Sequence, residues 1–167
     1  MAESDIEFGE HAALIGAEFE RADLRGRNLS GVNMTNASFR GADLTDADLR
    51  GAKLIRADFS RACLLRTKFN GADLTGADLS MSYGRAADFT EAILRGAQLK
   101  RVTFKNAIFY GADLRSANVF QADFYGSLFN NAKLDGVKHA ESANFFGTSP
   151  KGESGESNTT PAPDSDE

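Results

Sequence analysis

Between Leu14 and Leu134 every fifth residue is a large apolar side chain, Gly84 alone excepted. The series runs Leu14, Phe19, Leu24, Leu29, Met34, Phe39, Leu44 and onward without a slip, and of the 26 such centres up to residue 139, 24 are Leu, Phe, Met or Val. Two residues before the centre stands a small side chain, alanine in 19 of the 26 units; Arg27, Val32, Thr67, Ser82, Val102, Ser127 and Val137 are the departures. Two residues after the centre, 11 of the chain's 16 glycines collect, joined by Asn36, Asn106 and Asn131. These residue types tolerate positive φ, which marks the column as a turn. A period of five suits neither regular element: in a helix each step rotates by about 140°, and in a strand an odd step changes face. The apolar residues stay together only if the chain turns a corner once per unit and points each centre at a common axis. Such fixed-period self-similarity is the mark of stacked repeats.

The number of sides per coil follows from which centres resemble each other. At a separation of 20 the columns are uniform: Leu14, Met34, Leu54, Leu74, Leu94, Leu114 and Leu134 in one, Leu29, Leu49, Phe69, Phe89, Phe109 and Phe129 in another. At a separation of 15 the columns mix Leu, Phe and Val. Four sides per coil are therefore expected, with like side chains stacked. The 26 units make six to seven coils of four, a rod on the order of 30 Å long at roughly 4.8 Å per coil.

Units such as Ala42-Asp43-Leu44-Thr45-Asp46, Ala57-Asp58-Phe59-Ser60-Arg61 and Ala72-Asp73-Leu74-Thr75-Gly76 resemble the pentapeptide repeat family, and the resemblance covers about residues 12 to 147. It implies an all-β chain wound as a right-handed quadrilateral parallel β-helix, in agreement with the four-sided pattern. It also brings a functional alternative, because members of that family protect DNA gyrase from quinolones or peptide toxins by presenting an acidic rod the size of a duplex.

The 167 residues, 41% of them apolar, suffice for one narrow core. Residues 1–11 are expected to cap the first coil, with Ser4 and Glu7 at capping-box spacing; residues 12–137 form the β-helix. The register breaks after His139 and resumes one residue out of step at Ala143-Asn144-Phe145, so 138–147 read as a closing segment plugged by Phe145 or Phe146. Residues 148–167 hold all three prolines and five acids against one Lys, the composition of a disordered acidic tail. That tail carries −4 of the total charge of −5, leaving the body near neutral. The single cysteine, Cys63, precedes a centre and should face outward, which excludes a disulfide framework. No signal-like segment and no long apolar run is present, so the expectation is a cytoplasmic chain without a membrane span.

Carboxylates such as Asp23, Asp43, Asp48, Asp58, Asp73, Asp78, Asp88, Asp113 and Asp123 recur one before the centre. On a convex, evenly patterned rod they have no pocket to perturb them, and they are expected to support turns. His11 and His139 belong to opposite ends of the stack, too far apart to share a metal or relay a proton. No nucleophile elbow or phosphate loop appears. An enzyme is not expected, nor any cofactor or metal. Direct nucleic-acid binding is not expected either, because Arg50, Arg56, Arg61 and Arg66 fall on successive sides and ring the coil.

DNA mimicry needs a concentrated negative face, whereas the outward columns mix signs. Asp23, Asp43 and Asp123 stand beside Arg25, Arg85 and Lys105; Asp73 and Asp113 stand beside Lys53, Arg95, Arg115 and Lys133. Glu18, Glu20, Asp58 and Asp78 make the most acidic strip, with Arg40 among them. The gyrase protector is therefore the alternative, and the expectation is a protein-binding scaffold or regulator with an unidentified partner, a weak homodimer included. Its candidate patch is Ile108, Tyr110, Phe120, Tyr125 and Leu128, outward positions that are polar elsewhere. Ile108 and Leu128 should stack with Tyr110 beside them. Gly84, with Tyr83 before it, is the candidate irregularity: either Leu64 and Phe104 close over the gap, or the backbone bulges and turns Tyr83 or Met81 inward.

Overall fold

A computed structural model describes residues 14–148; the expected cap over 1–11 and the acidic tail beyond Thr148 lie outside the described residues. The residue before each centre forms a parallel β-bridge with the residue 20 positions on, beginning Glu18↔Ser38, Asp23↔Asp43, Asn28↔Asp48 and Asn33↔Lys53. Twenty residues are four units, so each coil has four sides. The amide of the centre donates to the coil above, as from Leu24 to the Asp43 carbonyl at 2.8 Å, and the residue before it donates to the coil below, as from Ser38 to the Ala17 carbonyl at 2.9 Å. The corner closes within the chain: the Ala42 amide donates to the Phe39 carbonyl at 2.9 Å. Backbone polarity is thereby absorbed along the stack, as a buried core demands.

The turn column has positive φ throughout, as its glycines and asparagines foretold, but so do Arg56, Arg61, Met81, Ala86, Glu91 and Arg101, at 55° to 61°. A side chain in that region is unfavourable on its own. Here the hydrogen bonds to the coils above and below hold it, as where the Arg56 amide donates to the Thr75 carbonyl at 2.9 Å.

Four faces result. The first carries centres Leu14, Met34, Leu54, Leu74, Leu94, Leu114 and Leu134; the second, Phe19, Phe39, Phe59, Leu79, Leu99 and Val119; the third, Leu24, Leu44, Leu64, Gly84, Phe104 and Phe124; the fourth, Leu29, Leu49, Phe69, Phe89, Phe109 and Phe129. Centres and alanines together form one continuous core. On the fourth face Phe69, Phe89, Phe109 and Phe129 stack with ring centroids 4.7 to 4.9 Å apart and planes within 4°. That spacing is the distance between paired strands, so the backbone ladder imposes a stacked geometry on the rings.

Gly84 breaks no register: Tyr83 bridges both Cys63 and Thr103, and Tyr83 and Met81 remain 44% and 49% exposed. The backbone does not bulge. Instead the Phe104 ring occupies the missing side chain's place, since a Cβ on Gly84 would sit 2.7 Å from Phe104 Cε1 and 3.4 Å from Leu64 Cβ. Phe104 is the first phenylalanine of a column that is leucine below, and the glycine beneath it supplies the extra room. Two residues earlier, the Ser82 hydroxyl is buried without a partner, whereas the buried hydroxyls of Thr67 and Ser127 donate to the carbonyls of Leu44 and Phe104 at 2.8 and 2.6 Å.

Near the C-terminal end the last bridge, Asp123↔Asn144, spans 21 residues. The additional residue is taken up around His139, at φ 62°, and the short 3-10 turn Ala140–Ser142. Phe145 then points inward against Phe124, 5.2 Å between centroids, while Phe146 is 73% exposed.

Asp113, on the first face, is 6% exposed and the only buried carboxylate among the described residues. The Arg115 guanidinium donates to both its oxygens at 2.9 and 2.8 Å, and Arg95 Nε donates to Oδ2 at 2.6 Å. Arg115 first, then Arg95, hold this carboxyl well below the usual 3.8 against the opposing effect of burial.

Three outcomes follow for equilibrium unfolding in urea. Gly84→Leu should destabilise by about 1–3 kcal/mol through overpacking, and Phe104→Leu should restore part of that loss in the double variant, a coupling of at least about 0.5 kcal/mol; additive effects would refute the compensation. Ser82→Ala, which removes an orphaned hydroxyl, should stabilise by about 1 kcal/mol. Asp113→Asn should cost roughly 1–2 kcal/mol at neutral pH, because the two guanidiniums lose a charged acceptor but reach solvent. Since the folded carboxyl is the stronger acid, the wild-type advantage is complete above the unfolded value and is lost as pH falls below about 4; a difference independent of pH would refute the pairing.

Candidate functional site

The recurring carboxylates have a local task. Asp43 Oδ1 accepts from the Thr45 amide at 3.0 Å and hydroxyl at 2.6 Å, and Asp73 with Thr75 and Asp88 with Thr90 repeat the arrangement. Asp58 and Asp78 accept from the amides of Ser60 and Ser80 at 2.8 Å. Each side chain thus caps the corner two residues on, an Asx turn. Several also meet cations: Asp23 with Arg25, Asp48 with Arg50 at 2.6 Å, Asp46 with Arg66 at 2.6 Å, and Asp123 with Lys105 at 3.2 Å. The Arg25 hydrogen bond lowers Asp23 to about 2, and bonds from Arg66 and Arg50 lower Asp46 and Asp48. These shifts stabilise the ionised form and leave no poised general acid.

No three or more His, Cys, Asp or Glu side chains converge on a possible metal position among the described residues. His139 stacks edge-on against Phe120 at 5.6 Å, and Cys63 lies partly buried with Sγ 3.4 Å from the Thr45 hydroxyl. No helix is long and apolar enough to cross a membrane among the described residues.

The surface is distinguished by its exposed apolar side chains. Of the seven large ones among the described residues, six lie from Met81 onward: Met81, Tyr83, Tyr110, Tyr125, Leu128 and Phe146. The candidate patch divides over three faces. Ile108 and Leu128 bridge directly on the fourth face, Ile108 half-buried and Leu128 43% exposed. Tyr110 stands beside them, 47% exposed, its hydroxyl accepting from Asn131 Nδ2 at 3.2 Å. Phe120 is half-buried on the second, opposite face. Tyr125 lies around the corner on the third face, where Phe146 stacks on it at 5.8 Å. Ile108, Tyr110 and Leu128 are therefore one surface, and Phe120 is apart from it.

The third face also carries a feature that the expected patch omitted. Tyr83, Arg85, Thr103, Lys105, Asn106 and Tyr125 line an open groove of about 400 Å³. The signal was available in the numbering, since Tyr83 and Thr103, and likewise Arg85, Lys105 and Tyr125, are 20 residues apart.

Pentapeptide repeats, the family of this description, match residues 10–41, 17–54, 42–80, 85–119 and 107–138. A comparison with curated proteins gave no match. Among solved structures, two trypsin-treated variants of QnrB1, a plasmid-mediated fluoroquinolone resistance protein, are 23% and 24% identical with TM-scores of 0.62 and 0.56; each alignment covers 81% of this chain and 78% of that one. HetL of Nostoc sp. strain PCC 7120, involved in heterocyst differentiation regulation, is 22% identical with a TM-score of 0.48, covering 82% and 84%. The fold is that of the right-handed β-helices among these neighbours. By its repeated units and its matched span, the chain belongs to the pentapeptide repeat family.

Proposed function

We propose that the protein is a non-enzymatic docking module, a scaffold or regulator that engages a protein partner through the fourth face of its C-terminal coils. The carrying observation is Leu128 stacked on Ile108 with Tyr110 alongside. In the coils below, the same outward column is Asn28, Asp48, Lys68 and Asp88, so an acquired apolar surface stands on an otherwise polar wall. Aromatic and aliphatic anchors on a rigid support are what an interface core uses, and a surface fixed by its ladder loses little conformational freedom when it binds.

Gyrase protection is the competing reading, supported by the fold shared with QnrB1 and opposed by the pairing of Asp23, Asp46, Asp48, Asp113 and Asp123 with cations, which leaves those carboxylates little net field to imitate a duplex.

Affinity capture should lose its specific partner by about tenfold or more when Tyr110→Ala is combined with Leu128→Asp, with circular dichroism unchanged because both side chains face outward. Unchanged capture would remove the patch from the account. Size-exclusion with light scattering identifies a second copy as the partner if mass rises with concentration and falls in the double variant. A supercoiling assay with a quinolone separates the readings: the docking module leaves gyrase inhibition unaltered, and rescue of supercoiling would establish the alternative.

A further inference from the structure

The groove on the third face has a different chemistry from the fourth-face surface. It spans three coils, Tyr83 and Arg85 in the lowest, Thr103 and Lys105 above them, Tyr125 at the top. The two tyrosines are 44% and 46% exposed and stand about 10 Å apart along the rod, two strand spacings. Arg85 makes no ion pair among the described residues, and Lys105 meets Asp123 at 3.2 Å with its side chain 48% exposed. Arg101, at the neighbouring corner, donates to the neutral Gln121 at 2.9 Å. Two aromatic walls with cations between them suit an extended acidic segment, apolar residues against the rings and carboxylates on the cations.

The described chain ends beside this groove. Phe146 continues the aromatic wall by stacking on Tyr125 at 5.8 Å, and Gly147 packs over the Gly126 backbone at the same corner. The 19 residues that follow, 149–167, contain Glu153, Glu156, Asp164, Asp166 and Glu167 against Lys151 alone, and all three prolines. At roughly 3.3 Å per residue they span up to about 60 Å, against about 15 Å of groove, and closing so short a loop costs little more than a few RT.

We propose that residues 149–167 fold back along the third face, their carboxylates on Arg85 and Lys105 and their prolines against Tyr83 and Tyr125. Tethering supplies an effective concentration on the order of millimolar, so weak contacts keep the groove occupied and a ligand of the third face must displace the segment. The fourth-face surface stays uncovered, and the inference holds whether or not that surface docks a partner.

Paramagnetic relaxation in the full chain tests this. With Cys63→Ser removing the native thiol, a nitroxide at Ser157→Cys should reduce amide intensities at 83–86, 103–106 and 123–126 by about half or more at about 50 mM salt. The effect should vanish at about 1 M salt, where exposed pairs are screened, and in Arg85→Glu with Lys105→Glu. Uniform broadening, no broadening, broadening on another face, or salt-independent broadening would each overturn the assignment. A mixture of spin-labelled unenriched chains and unlabelled isotope-enriched chains should show no such effect; broadening there would assign the groove to a second copy's segment instead.

Discussion

The rung-to-rung hydrogen-bond ladder governs everything else in this molecule. Each coil donates to the one above and accepts from it at 20-residue separation, and that separation dictates which side chains meet. The centre and the alanine before it turn inward, while the residue between them and the residue after the centre turn outward. Because the ladder is parallel and unshifted, identical positions stack at a strand spacing. The stacked Phe69, Phe89, Phe109 and Phe129 rings follow from that geometry, since flat overlap is not the arrangement that isolated aromatic pairs prefer. Stability in such a stack is a sum of coil and neighbour terms, so every interior position is felt mainly by the coils that touch it.

Gly84 shows how the stack absorbs an exception. A missing centre in a narrow core would leave a void, and voids are destabilising in proportion to their volume. Phe104 leans down into that space, so the larger ring and the absent side chain sum to an ordinary filling. The backbone can then keep its bridges on both sides of Gly84, and no bulge is needed. The orphaned Ser82 hydroxyl in the same unit is the residual cost at this one irregular site.

The core was legible in the sequence because a period of five has few physical solutions, and the Leu and Phe columns selected four sides. The role of the aspartates was legible as turn support, though the partner was not: the acceptor geometry from Asp43 to Thr45 exists only once the corner is folded. The turn column was legible through Gly and Asn alone. Arg56, Met81, Ala86 and Glu91 adopt the same positive φ because the ladder over-determines the corner, and propensity says nothing of a constraint imposed by neighbouring coils. On the surface, the pairing of Ile108 with Leu128 could be deduced from 20-residue spacing. Phe120 belongs to the second face by that same arithmetic, and treating five apolar residues as one patch overlooked it. The groove was missed because attention to apolar outward residues passed over Arg85 and Lys105, whose meaning depends on the tyrosines one coil away on either side.

An outward side chain on this scaffold is nearly independent of the core, and that separation explains where function resides. In a globular domain a surface patch shares its backbone with loops and helix packing, so altering it perturbs the fold; here outward columns can change without touching the inward ones. The fourth face passes from Asn28, Asp48, Lys68 and Asp88 to Ile108 and Leu128 while the centres beneath continue as an unbroken Phe column. The third face similarly passes from the Asp23 and Asp43 positions to Tyr83 and Thr103 above Cys63. Distinct surfaces of different chemistry, apolar on one wall and cationic-aromatic around the corner, can therefore coexist within three coils on one rigid axis. What limits them is spacing alone: side chains that act together must lie about 20 residues apart or share a corner, and the residues of both surfaces obey that rule.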